Sequence, residues 1–495
     1  MSARRFERPA RDRGAVLLMS AMLLLPMMTI AGFAVDVAAW YHRANQLQRA
    51  ADAGALAGVV WMPNLTKATS EALGAIRRNG IDTTATNITV TIASDAGSDR
   101  RLVVTVKDTD VARYFAASVV SKQAIARSAI SEYVMPVPLG SPDNRLGNDP
   151  PANYQPYLWA SISGPFTDKN NGDPYSTKCT GGSSGTGCSK TNTEYRTNGY
   201  LYAIDVPTTA VGQTLTVQLY DAGNYARANY ANVETADNGV VNTQFELFRA
   251  DDTPYSYADN LVGDKSMSGK CLTAGPGKVY IADNASSATY KNQWVTLCSV
   301  TVAETGRWYL QVKSSNISGV TDAGSGWNQF SIKATLSGST QPSVFGVNDF
   351  SLFNNLPGLS GTFTSTFYLA RIDAAYAGKT LQISLFDPGD GQSGTYTVQV
   401  LKPGGVTTSC TYSARGAAST STSNTCLITT RSSGTNTYNG KWLDLKIALP
   451  ATYTCSTDCW WKVQYNFANV VSGSSPNDRT VWAATLTGDP VHLVK

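Results

Sequence analysis

The residues with the widest chemical repertoire are scarce in this chain. Two histidines, His42 and His492, serve all 495 residues. A Ser-His-Asp or Cys-His centre needs an imidazole beside its nucleophile. His42 adjoins an apolar run, and His492 lies at the far end of the sequence. Gly181-Gly182-Ser183-Ser184-Gly185 has the letters of a nucleophile elbow. It sits in a glycine–serine loop, without the strand–turn–helix setting that motif requires. No phosphate-binding loop or dinucleotide fingerprint occurs. A glycosidase carboxylate pair is defined in three dimensions, and nothing in the sequence points to one. The expectation is a protein that is not an enzyme.

Two groups of residues could still bind or crosslink. Asp168-Lys169-Asn170-Asn171-Gly172-Asp173 places hard oxygen donors around a glycine turn, which is what calcium uses. Asp168, Asn170 and Asp173 are the candidate ligands. The stretch lacks the twelve-residue loop and closing glutamate of a full calcium loop, and an ordinary turn has the same composition. Asp387-Pro388-Gly389-Asp390-Gly391 reads as a turn in the same way. The second group is the cysteines: Cys179, Cys188, Cys271, Cys298, Cys410, Cys426, Cys455 and Cys459. An even set confined to the distal part reads as disulfides in an oxidising compartment. Zinc would want tight Cys-x-x-Cys pairs or nearby histidines, and neither is present. Of the 105 connectivities that eight cysteines allow, the simplest joins neighbours: 179–188, 271–298, 410–426 and 455–459. Trp308, Trp460 and Trp461 could stack on sugars, but in alternating strands such aromatics more often fill a core.

The composition agrees with an exported, strand-rich protein. Charged residues are 15% and aromatics 10% of the chain. The net charge of +4 is too small to argue for nucleic acid. The length suggests about three domains.

Residues 14–35 carry no charge, and as a helix they would span about 33 Å, the thickness of a bilayer core. Arg4, Arg5, Arg8, Arg11 and Arg13 precede them, against Glu7 and Asp12. That excess predicts a cytoplasmic N-terminus, with the bulk of the chain outside the cytoplasm or at the cell surface. Pro26 predicts a kink. Gly32-Phe33-Ala34 would suit a signal peptidase. The helical pattern, however, runs straight on to Val60, which favours a retained anchor. Beyond it, residues 36–62 read as an Ala-rich helix. Its stretch Ala50–Ala57 would either admit a second helix closely or lie on the protein's own domain. Lys67–Arg78 reads as a second helix ended by Asn79-Gly80. A hairpin follows over Ile88–Ile92 and Leu102–Val106, then a short helix over Val111–Val120 and a returning strand over Gln123–Val134. A long helix on a small antiparallel sheet is a pilin-like plan.

Here the residues carry a resemblance. Arg13-Gly14-Ala15-Val16, the apolar span, Gly32-Phe33-Ala34-Val35-Asp36, Leu47-Gln48-Arg49-Ala50-Ala51-Asp52-Ala53 and Ala55-Leu56-Ala57 follow in the order of the Tad (tight adherence) family, TadE/TadG-like. The resemblance covers residues 13–60 well and 61–135 loosely. It implies a membrane-anchored envelope protein, minor pilin-like, working with other Tad/Flp (type IVc) pilus-assembly components. A peptidase cut after Gly14 would put Met19 where processed pilins carry glutamate. No von Willebrand metal site occurs, since Asp349–Phe353 stops one serine short.

Pro136-Val137-Pro138-Leu139-Gly140-Ser141-Pro142 is linker-like. Past it the chain repeats. Tyr200-Leu201, Ile204-Asp205, Gly212, Thr214-Leu215, Leu219, Asp221 and Gly223 return as Tyr368-Leu369, Ile372-Asp373, Gly378, Thr380-Leu381, Leu385, Asp387 and Gly389. Alternating strands such as Leu215–Leu219 and Leu381–Leu385 predict two tandem antiparallel β-sandwiches. Each weakly resembles the jelly-roll-like pre-peptidase C-terminal module in fold. The expected organisation is a basic tail (1–13), a transmembrane helix (14–35), a pilin-like α+β region (36–135), a linker (136–156) and sandwiches over 157–340 and 341–495. The expected fold class is mainly β. Surface glycans, or host or neighbour cells, are the expected partners of the alternative, an envelope-anchored adhesin with no pilus role.

Overall fold

A single helix, α1 (Asp12–Val59), joins the apolar span to the first folded region and continues through Pro26. The computed structural model describes residues 12–62, 64–95, 100–118, 120–133, 137–151, 158–166, 173–175, 178, 192–221, 241–251, 253, 257–272, 275–282, 289–290, 293–322, 327–355, 361–388, 395–431, 438, 440–470, 477–486 and 491–494. The chain divides into two compact units, one of residues 1–134 with 489–495, the other of 135–488.

In the first unit α1 is followed by α2 (Leu65–Arg78), β1 (Ile88–Ser94), β2 (Arg101–Asp108) and β3 (Ile125–Tyr133). Asn64 caps α2, its side chain accepting from the Lys67 N–H at 3.1 Å. The sheet runs β1-β2-β3 and then Val491–Leu493, all antiparallel. Period-two alternation turns Leu102, Val104 and Val106 to one buried face of β2, where they share a core with Leu47, Ala51, Ala55 and Val59 of α1 and Ile76 of α2. This is the pilin-like plan. Two expectations change. Among the described residues of Val111–Val120 one tight turn forms, Ala116–Ser118; the N–H groups of Tyr114, Phe115 and Ala116 bond Asp36, and the Ala112 carbonyl bonds Trp40 Nε1, so the groups a helix would pair with one another are taken by α1. The last strand joins this sheet rather than the second sandwich, since it covers the open edge of β3.

The second unit is built of antiparallel strands. One sheet runs Trp294–Thr301, Thr214–Asp221, Trp327–Leu336, Leu158–Ser163, Asp349–Asn355, Asn477–Leu486, Thr380–Phe386, Trp442–Ala448, Cys410–Ala414, Ser421–Ser423, with Arg145–Leu146 paired to Trp327–Leu336. Two further sheets complete the sandwiches. The first is Ser343–Gly346, Tyr200–Val206, Gly306–Lys313, Thr243–Phe248, Lys278–Ile281. The second is Gly361–Arg371, Trp460–Val470, Thr395–Lys402, Val406–Thr407, with Leu427–Arg431 on Thr395–Lys402. Phe330 meets Tyr202 and Phe245 edge-on across the first sandwich. Trp482 meets Phe367 and Tyr465 across the second.

The repeat is visible in detail. Tight turns occupy Thr208–Ala210 and Ala374–Tyr376, and Gly212 and Gly378 follow with φ of 81° and 77°, a conformation natural to glycine. Leu215, Val217, Leu381, Ile383 and Leu385 are buried, as are Trp308, Phe330, Trp461 and Trp482. The long sheet runs unbroken from one copy to the next, because Leu352, Phe353 and Asn354 pair with Ala160, Trp159 and Leu158. The first sandwich extends past residue 340, since Ser343–Gly346 pairs with Tyr200–Val206. The proline-rich segment expected as a linker is ordered over 137–151. Leu139 bridges to both Gly346 and Ala370, and Leu139 and Leu146 are buried. Its prolines favour extended backbone, which suits a strip laid along strands.

Candidate functional site

The most specific arrangement of side chains lies along α1. Residues four apart share a helix face, and Gly32, Asp36 and Trp40 are such a series, continued by Arg43 and Leu47. Gly32 lies under Phe115, and a Cβ there would come within 2.8 Å of Phe115 Cγ. Asp36 is buried. Its carboxylate accepts three backbone N–H groups, from Tyr114 at 2.7 Å, Phe115 at 2.9 Å and Ala116 at 2.5 Å. Trp40 Nε1 donates to Ala112 O at 3.1 Å. Arg43 holds Asp108 through Nε at 2.9 Å and Nη2 at 2.8 Å, and Asn87 donates to the other Asp108 oxygen at 2.8 Å. Leu47 enters the core. The same helix therefore changes role along its length. Val16, Leu17, Leu18, Met22, Leu23, Met27, Met28 and Ile30 are all more than half exposed, whereas from Ala44 onward one face is sealed by protein.

The small-residue stretch Ala50–Ala57 serves the protein's own fold. A Cβ at Gly54 would lie 2.8 Å from Ile76 Cγ1, and one at Gly58 would lie 2.5 Å from Leu102 Cδ2 and 2.8 Å from Ala68 O. Small residues let α2 approach closely at this spacing.

A concavity lies in the second unit, where the two copies adjoin. It encloses about 120 Å³ between Pro138, Asp205, Arg307, Phe345, Arg371 and Trp460, with Asp373 and Tyr376 beside them. Arg307 forks onto Asp205 at 2.7 and 3.0 Å and lies over the Phe345 ring at 5.1 Å. Arg371 meets Asp373 through Nε at 3.1 Å and is half exposed. The aspartates are repeat mates. Trp460 belongs to this wall, packing with Leu201, Tyr309, Phe345 and Tyr368. Its neighbour Trp461 turns into the second core.

Of the candidate calcium ligands, Asp168 and Asn170 lie outside the described residues. Asp173 is buried, and its Oδ1 accepts from the Tyr200 hydroxyl at 2.6 Å and the Tyr175 N–H at 3.1 Å. Among the described residues no cluster of His, Cys, Asp and Glu is arranged to hold a metal. Asp349 is close by. Burial, with the charge of Asp173 added, pushes its carboxyl well above the ordinary carboxylate range, and Arg196 offsets part of this. The cysteine pairs 271–298, 410–426 and 455–459 are joined as disulfides; Cys179 and Cys188 lie outside the described residues. Sequence reasoning missed Asp36 as a clamp. The available signal was an acid placed directly at the end of an uncharged span, where a lone carboxylate needs partners.

These features define a class: a strand-rich protein with one N-terminal apolar helix long enough to cross a membrane, whose distal half is built into a helix-on-sheet unit. Residues 14–61 match the Tad family, described as putative Flp pilus-assembly TadE/G-like. The matched stretch is α1 and the turn after it, which ties this segment to a pilus-associated role. No curated protein matches the chain.

Proposed function

We propose that the protein is a non-enzymatic, membrane-anchored component of a Tad/Flp pilus system, minor pilin-like, that displays its two sandwiches outside the cytoplasm. The observation that carries this reading is the coincidence of the 14–61 match with α1. The apolar half of the helix is exposed, as a lipid-facing span must be, and its distal half supports a pilin-like sheet. The arginines before the span favour a cytoplasmic N-terminus. Crosslinking in cells followed by recovery of the protein tests the role. Pilus-assembly components should be enriched over a control anchored by an unrelated helix. Enrichment equal to the control, with the protein present at normal abundance, would sink the reading.

The cleft between the copies favours a second reading, an envelope-anchored adhesin for surface glycans. Aromatic walls with paired Arg and Asp side chains offer the planar hydrogen-bonding edges and apolar faces that sugars use. Full-length protein should then retain glycans, and Arg371→Ala should weaken retention about tenfold, the loss of one charge-assisted hydrogen bond. Equal retention by the variant would remove the cleft from consideration.

A further inference from the structure

From the contacts between α1 and the segment Val111–Ser121, we infer that this loop is a second membrane contact: it lays Tyr114 and Phe115 into the extracytoplasmic interface of the bilayer beside the span. This inference rests on the reading of α1 as a membrane anchor. The first observation is depth. Phe115 packs on Gly32, three residues before the uncharged run ends at Val35. At 1.5 Å per residue, Gly32 lies about 4.5 Å inside that end. A ring seated on Gly32 therefore sits at the level of the headgroups or below whenever the span fills the hydrocarbon.

The second observation is exposure. Tyr114 and Phe115, adjacent in the loop, remain 66% and 60% exposed although Phe115 rests on Gly32. Trp40 and Tyr41 stand on α1 a little over two turns beyond Gly32, and Tyr41 is also exposed. Aromatic rings with one polar edge are enriched where hydrocarbon meets headgroups.

The third observation is how the loop backbone is satisfied. A bare turn brought to a membrane surface would desolvate its N–H groups at considerable cost. Here the N–H groups of Tyr114, Phe115 and Ala116 all end on the Asp36 carboxylate, and Trp40 Nε1 takes the Ala112 carbonyl. The loop reaches the interface with these polar groups already paired, and Asp36 is the positioning residue. The consequence for the helix is a fixed depth and rotation, because a side contact resists both sliding and turning about the span.

Nitroxide labels on the full chain in phosphatidylcholine vesicles test this. Leu24→Cys marks the span, Tyr114→Cys the loop and Val406→Cys the aqueous phase, with the unsubstituted protein as labelling control. The ratio of collisions with oxygen to collisions with a water-soluble nickel chelate reports depth. Expected is a ratio at 114 several-fold above that at 406 and below that at 24. Adding Asp36→Ala should bring the 114 ratio down to the 406 value while leaving the label at 24 unchanged. If the label at 24 is lipid-embedded but 114 matches 406, the inference is overturned and the anchor stands. A 24 label that matches 406 overturns the anchor reading and the inference with it. A 114 ratio unmoved by Asp36→Ala would refute the role given to Asp36.

Discussion

At the residue scale the most exposed liability of the fold is a buried carboxylate. Asp349 opens the strand Asp349–Asn355 beside Asp173, and no basic side chain forms a salt bridge with it among the described residues. Burial and the Asp173 charge raise its carboxyl well above the ordinary range. Protons are then bound more tightly in the folded than in the unfolded chain, so stability falls as pH rises from about 4, the unperturbed carboxylate value, through the raised folded value. Asp349→Asn removes the ionisation and keeps the shape. Thermal unfolding should show the variant more stable than the parent at neutral pH, with the gap closing as pH falls toward 4. A gap independent of pH would show that the charge is not what matters. Other single residues were partly legible beforehand. The two tryptophans at 460 and 461 had to face opposite ways in a strand, and both are buried, Trp460 against Leu201, Tyr309 and Phe345 of the first copy, a partner that the local sequence does not signal. Asp173 read as a turn residue first and a ligand second, and its actual role was hidden because a carboxylate's partners, here the hydroxyl of Tyr200 twenty-seven residues away, are tertiary.

At the element scale, periodicity did most of the work. The helix over Leu65–Arg78, the β1–β2 hairpin and the repeated strands are all carried by local pattern. Local pattern could not choose between a foreign helix and α2 as the partner of the Ala50–Ala57 stretch, because small residues admit either. The choice is visible at Gly58, where a side chain would meet the Ala68 carbonyl, which is backbone and cannot swing aside. Gly58→Leu should therefore cost about 2 kcal/mol through overpacking. It should also speed tryptic cleavage at Arg77 and Arg78 as α2 loosens. Gly74→Ala is the matched control. Its Cβ would meet only the mobile end of Arg78, at 3.3 Å. Replacing a helical glycine by alanine is worth about 0.5–1 kcal/mol of stability, so cleavage should be unchanged or slower. Equal cleavage rates in the two variants would refute the close α1–α2 contact.

At the scale of the whole molecule, the repeat was legible and its seam was not. Two copies with matched landmarks predict two sandwiches, but the pairing of Leu158–Ser163 with Asp349–Asn355 joins them into one long sheet. That pairing is reinforced by a hydrogen bond between Ser161 and Ser351, 190 residues apart, and no local signal reports such a contact. The last strand escaped for the same reason. Val491–Leu493 returns to β3 after the entire second unit has been traversed, and Val494 N–H adds a bond to Ile130 O at 2.7 Å. The first unit is thus closed by both ends of the described chain, and its sheet is incomplete until the last residues arrive. Truncation before Asp489 should leave β3 as an open edge, with its N–H and C=O groups facing solvent. In hydrogen exchange of the full chain against the truncated one, amides of β3 should lose protection. Amides of the strand Thr380–Phe386, held on both sides by Trp442–Ala448 and Asn477–Leu486, should keep theirs. Loss confined to β3 and its neighbours would place closure of the first unit on the last strand. Unchanged protection of β3 would mean that three strands and α1 suffice, and that the final strand contributes nothing to the unit it joins.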